Sequence, residues 1–180
     1  MRDREASLKA IQALNFDQLR QKACLPKPEG EGWTKPQALE AEKWYKRYLS
    51  LMITHPNIKH VPNGPIDTFW HRHILDTSKY IEDCQNIFGG YVHHYPYYGL
   101  NGEEDATARD QSFEETNQAY QELYGEECTT MGLLFDIVAD PEGCEAKPLR
   151  GILRPTMTQA MAIAGSSCNN SGSGTGCSRK

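Results

Sequence analysis

The stretch IDTFWHRHILDTSKY, Ile66–Tyr80, decides how this chain folds and what its histidines can do. Ile66, Trp70, Ile74, Thr77, Ile81, Cys84 and Phe88 recur at helical spacing, which predicts one helix from about Pro65 to Phe88. Proline suits the first turn of such a helix, and Gly89-Gly90 suits its end. Successive residues on a helix are about 100° apart, so His71 and His73 point about 200° apart. They cannot chelate one ion, as a His-x-His pair on a strand can. The two histidines must therefore do different jobs.

His73 falls at the edge of the apolar stripe, near Phe69, Tyr80 and Cys84. That position suits a buried imidazole bonded to a hydroxyl or carbonyl. It also makes His73 and Tyr80 the candidates for proton transfer or for orienting a ligand. His71 lies on the other flank, one turn after Asp67, so these two side chains are neighbours. Both can ligate one metal, or Asp67 can orient His71 through its second ring nitrogen. Asp67 also suits the first helical turn for a plain reason: a carboxylate there complements the helix dipole.

Downstream, YVHHYPYYG is aromatic and too irregular for a helix. In an extended segment neighbouring side chains face opposite ways, so one of His93 and His94 can turn inward; the alternative is an aromatic loop packed on the preceding helix with both histidines at the surface. Asp67, His71 and either His93 or His94 then make one compact metal site with a position open to water. Two imidazoles and a carboxylate suit Zn²⁺ or Fe²⁺ ahead of copper. His73 replaces His71 if the helix is turned the other way. His55 and His60 flank the preceding turn and are alternative members. Cys84 reads as a core thiol or, failing that, a ligand.

Around this centre the chain reads as an all-α small helical bundle. One helix is expected over Glu5–Cys24, ended by Pro26. A second follows Thr34, with Pro36 in its first turn and Ala41, Tyr45, Tyr48 and Met52 along one stripe, beside Trp44 and Leu51. A further helix runs from about Thr107 to Tyr124, with Phe113, Tyr120 and Tyr124 on one face. Met131–Val138 reads as strand or helix, and Pro155–Ala164 as weakly helical. With 180 residues, we expect one domain over 1–164 and a flexible Gly/Ser/Cys tail over 165–180.

A net charge of −5 with interspersed signs argues against nucleic acid and anionic membrane as partners. No apolar run approaches bilayer length, and the N-terminal residues lack a signal-peptide core, so a cytoplasmic location is expected. The six cysteines form no C-x-x-C pair, which removes zinc-finger and thioredoxin readings. G-x-S-x-G is absent, and the tail glycines lack the strand-to-helix context of a phosphate loop.

The run VPNGPIDTFWHRHILDTSKYIEDCQNIFGGYVHHYP resembles the core of the glycine-rich domain-containing protein-like family. The resemblance is carried by Asp67, Trp70, His71, His73, Leu75, Asp76, Thr77, Tyr80, Asp83, Cys84, Phe88, Gly89, His94 and Pro96. The upstream KRYLSL, Lys46–Leu51, is similar to that family's basic-aromatic helix. The tail resembles the family's too, though it is shorter and poorer in glycine. The resemblance implies an α-helical domain and little biochemistry. Some plant members carry an RNA-binding segment; no basic stripe or RNP-type aromatic run stands here.

Three functions stay open at this point. One is a metal-binding domain, with hydrolytic or oxygen-activating catalysis as its extension. Another is an interaction module presenting Tyr91–Tyr98 and the acidic stretch Glu103–Asp110 to a peptide. The last is a carrier whose tail cysteines, Cys168 and Cys177, are modified. A small molecule or peptide is the expected partner.

Overall fold

The structure, a computed structural model, describes residues 3–128 together with 130, 131, 134 and 135. Six helices and no strand occur among the described residues: α1 Arg4–Ala13, α2 Asp17–Ala23, α3 Lys35–Thr54, α4 Gly64–Leu75, α5 Thr77–Phe88 and α6 Glu103–Tyr124. The expected elements at Pro155–Ala164 and 165–180, and most of the run Met131–Val138, lie outside the described residues.

Helix α3 is the axis, packed against α1, α2, α4 and α6, while α5 lies against α1 and α4. Its start follows the sequence signal. The Thr34 hydroxyl accepts from the Gln37 backbone N–H, and the Gln37 side chain accepts from the Thr34 N–H, forming a capping box. Its expected stripe is the core: Ala41, Trp44, Tyr45, Tyr48 and Leu51 are all buried, with Met52 packed at the margin. Each large apolar side chain taken out of water there contributes about 1.5–3 kcal/mol.

Two expected helices are broken, and both breaks have physical causes. The predicted helix over Pro65–Phe88 is two helices that share Asp76, whose ψ of 71° leaves the helical region. Trp70 Nε1–H donates to the Tyr80 hydroxyl at 3.0 Å, and His73 Nε2 meets Asp83 at 3.0 Å. On one straight helix each pair would be about 15 Å apart along the axis. Folding α5 back on α4 is what lets these contacts form. The break also resets the helical phase. The buried set is Ile66, Phe69, Trp70 and His73 on α4, then Tyr80, Cys84 and Ile87 on α5. Ile81, placed in the stripe by periodicity, is 56% exposed.

The expected helix over Glu5–Cys24 also divides. Leu14 turns extended, with φ −58° and ψ 128°, and the Asn15 carboxamide accepts from the Asp17 N–H. The turn drops Phe16 into the core, where its ring meets Tyr45, Phe69 and His73 at centroid distances of 5.7, 5.5 and 4.9 Å. Helix α6 starts one turn earlier than expected, at Glu103, behind Gly102 with φ 104°. Among the described residues no helix is long and apolar enough to cross a membrane.

Candidate metal centre

Helix α4 supplies two of the site's three side chains. Asn63 starts it by accepting the Ile66 N–H through its carboxamide oxygen, and Gly64-Pro65 fill the first turn. The core face of α4 is fixed by Ile66, Phe69, Trp70 and His73. Asp67 and His71 consequently share the other flank, one turn apart.

The third side chain comes from the segment after α5. Residues 91–95 carry no helix, and their exposure alternates: Tyr91, His93 and Tyr95 outward, Val92 and His94 inward. That is the period of an extended chain. His94 turns toward Asp67 and His71. His93 is exposed and stacks on Tyr91 at 4.9 Å, outside the group.

Asp67, His71 and His94 each bring one ligand atom to a common point, all within 4.8 Å of one another. His94 Nε2 lies 2.9 Å from Asp67 Oδ1 and 3.1 Å from His71 Nε2. His71 Nε2 lies 3.8 Å from Asp67 Oδ1. Metal bonds of about 2.0–2.1 Å put tetrahedral ligand atoms about 3.3 Å apart, and cis octahedral ones about 3.0 Å apart. The observed separations straddle both values.

The protons point the same way. A ring nitrogen carries at most one hydrogen, whether the imidazole is neutral or charged. His94 Nε2 therefore makes at most one well-aligned hydrogen bond, to Asp67 Oδ1 or to His71 Nε2. If it carries no hydrogen, its lone pair faces a carboxylate. A cation at the common point satisfies all three lone pairs at once. The donor set of two imidazoles and one carboxylate fits a borderline transition metal. Asp67 and His94 side chains are 17% and 13% exposed, while His71 is 47% exposed, so the site opens on the His71 side.

His73 goes where its opposite projection sends it, into the core at 1% exposure. Its Nε2 faces the Asp83 carboxylate at 3.0 Å, and its Nδ1 meets the Tyr45 hydroxyl at 2.9 Å. An ionised Asp83 only accepts, so Nε2 carries the proton and Nδ1 accepts from Tyr45. Lys79 closes the chain with its ammonium 2.8 Å from Asp83. Burial pushes the His73 pKa down from 6.5 to about 4, outweighing the Asp83 carboxylate that pulls it up. His73 is thus a neutral core imidazole.

A pH effect on stability follows. The unfolded chain binds this proton from about pH 6.5 downward, whereas the folded chain resists it until about pH 4. Folding stability should be intact above pH 6.5 and fall as the pH drops toward 4, by about 3 kcal/mol from this group. Denaturant melts across that range check it, with His73→Gln expected to flatten the slope. An equal slope in that variant removes His73 as the cause.

Tyr80 is likewise buried, at 1% exposure. Its hydroxyl donates to the Val92 carbonyl at 2.6 Å and accepts from Trp70 Nε1–H at 3.0 Å. Burial raises its pKa well above the ordinary tyrosine range. The hydroxyl is committed to structure. The Trp70 ring also packs edge-on against His94 at 4.7 Å. Cys84 is a buried thiol. His60 Nε2 hydrogen-bonds the His55 carbonyl at 3.0 Å, and His55 Nε2 stands 3.6 Å from Glu122, so these histidines occupy a different corner.

Fold and site together define an all-α domain whose Asp67, His71 and His94 form a group that can hold a metal ion. The chain shows no significant match to any family model, curated protein or solved structure.

Proposed function

We propose that this protein is a metal-binding helical domain in which Asp67, His71 and His94 hold one transition-metal ion, Zn²⁺ or Fe²⁺ ahead of copper. The observation that carries the reading is the meeting of Asp67 Oδ1 and His71 Nε2 at one atom, His94 Nε2, at 2.9 and 3.1 Å. One proton cannot lie in line with both contacts, whereas one cation can sit between all three donors. When bound, such an ion supplies Lewis-acid activation of water or, as iron, activation of oxygen. The chain's own part is to fix the three donors and leave the His71 side open. Hydrolytic or oxygen-activating catalysis on a small molecule or peptide is the extension of this reading. The kinship with the glycine-rich domain-containing protein-like family belongs to the same proposal. Of the residues that carry the resemblance, Asp67, His71 and His94 are the three donors and Trp70 packs against His94.

The test is metal titration of protein first stripped with chelator. One equivalent of Zn²⁺ or Co²⁺ is expected to bind. At a hundredfold excess over Kd the bound ion should stabilise the fold by about 2.7 kcal/mol, seen as a higher Tm. Uptake below about a tenth of an equivalent overturns the proposal.

A second reading has its own observation: Tyr91, Tyr95 and Tyr97 are 49, 63 and 53% exposed. Such an aromatic face suits a peptide partner. Peptide binding that survives both chelator and His71→Ala would move the conclusion to an interaction module.

A further inference from the structure

The metal reading leaves one choice unexplained. His93 and His94 are adjacent and chemically identical, yet only His94 reaches Asp67 and His71. The choice depends on register, because a slip of one residue in an extended segment exchanges the two faces. No helix or sheet pairing holds residues 91–95.

What holds them is a grip on Val92. The Tyr80 hydroxyl donates to the Val92 carbonyl at 2.6 Å. Burial raises the pKa of the Cys84 thiol, and the neighbouring Val92 backbone acts against that rise. Tyr80 and Cys84 are both buried and stand one turn apart on α5. One helix face therefore holds the Val92 carbonyl and sets a buried thiol beside the same residue. The Val92 side chain packs on the core beside this grip. Residue 94 shares the face of residue 92, and residue 93 does not. Trp70 completes the arrangement from α4: its N–H donates to the Tyr80 hydroxyl, and its ring bears on His94.

We propose that Tyr80 and Cys84 are positioning residues that set the register of the histidine-bearing segment and thereby select His94 over His93 as the metal ligand. The inference rests on the metal reading above. Neither residue is one of the three donors. Their action passes through the backbone of Val92 and the two-residue alternation that follows.

The experiment is a Co²⁺ titration of the full chain, followed by visible absorption, in a wild-type and a Tyr80→Phe background. Tyr80→Phe keeps the buried ring and removes only the hydroxyl. It should lower Co²⁺ affinity about tenfold, within the range for supports of a metal ligand. The decisive readout is which histidine matters. In the wild type, His93→Ala should leave affinity unchanged and His94→Ala should remove it. In the Tyr80→Phe background the register is freed, so His93 can replace His94. The His94→Ala penalty should then shrink at least tenfold, and His93→Ala should acquire a cost. A purely structural role would lower Tm and leave this pattern alone. Cys84→Ala is the second variant and should shift the pattern the same way if Tyr80→Phe folds poorly.

Equal His94→Ala penalties in both backgrounds, with the wild type binding Co²⁺ normally, overturn the register inference and leave the metal site standing. Failure of the wild type to bind Co²⁺ overturns both.

Discussion

Replacing His94 with alanine is expected to lower transition-metal affinity by more than about a hundredfold, beyond what changes to supporting residues cost. His94 Nε2 is the atom nearest both other donors, at 2.9 Å from Asp67 and 3.1 Å from His71. Its loss leaves a carboxylate and an imidazole one turn apart on α4, a pair too common on helices to hold an ion by itself. His71→Ala should cost a comparable factor, because it too removes an imidazole from a three-donor set. His93→Ala should cost nothing, since His93 faces outward onto Tyr91. Isothermal titration with Zn²⁺ on the three variants separates these outcomes. The assignment fails if His94→Ala binds as tightly as the unaltered chain. It fails equally if the His93 and His94 variants weaken binding alike.

Phe16→Ala should cost the fold about 3–5 kcal/mol. Phe16 is fully buried although it sits in the turn between α1 and α2. Its ring contacts Tyr45, Phe69 and His73, and the ammonium groups of Lys46 and Lys79 lie 5.7 and 5.2 Å from its centroid. Removing it opens a cavity where α2, α3 and α4 meet. That cavity adjoins the Tyr45–His73–Asp83 chain, so a buried hydrogen-bonded group loses its packing as well. Domains of this size are stable by only about 5–15 kcal/mol, so the variant would sit near the edge of folding. Denaturant unfolding measures the difference. A loss under about 1 kcal/mol would show that the turn, rather than the core, is what Phe16 serves.

Several features were legible in the chain itself. Thr34, Pro36 and the stripe through Ala41, Tyr45 and Tyr48 announced α3, because a cap and a 3.6-residue period are local signals. The opposite fates of His71 and His73 followed from helical rotation alone: one is 47% exposed and the other is buried. The alternation of an extended segment allowed a single member of the His93-His94 pair to turn inward, but it equally allowed both to lie at the surface. Even the break at Asp76 had a trace in the sequence, where Asp76, Thr77 and Ser78 are three successive residues of the kind that compete with helical backbone bonds. The hydrophobic period ran through them and pointed to one helix instead.

The sequence by itself determined the helical class, the α3 core stripe and the short list of residues able to bind a metal, since each depends on neighbours within a turn or two. Only the tertiary structure decided that α4 and α5 fold back on each other, that Phe16 joins the core, and that His94 rather than His93 completes the group. Those outcomes depend on contacts between residues 10 to 53 positions apart: Trp70 with Tyr80, His94 with Asp67, Phe16 with Phe69. Periodicity carries no record of such contacts. They form only when the area buried and the hydrogen bonds completed between distant segments outweigh the entropy lost in bringing those segments together.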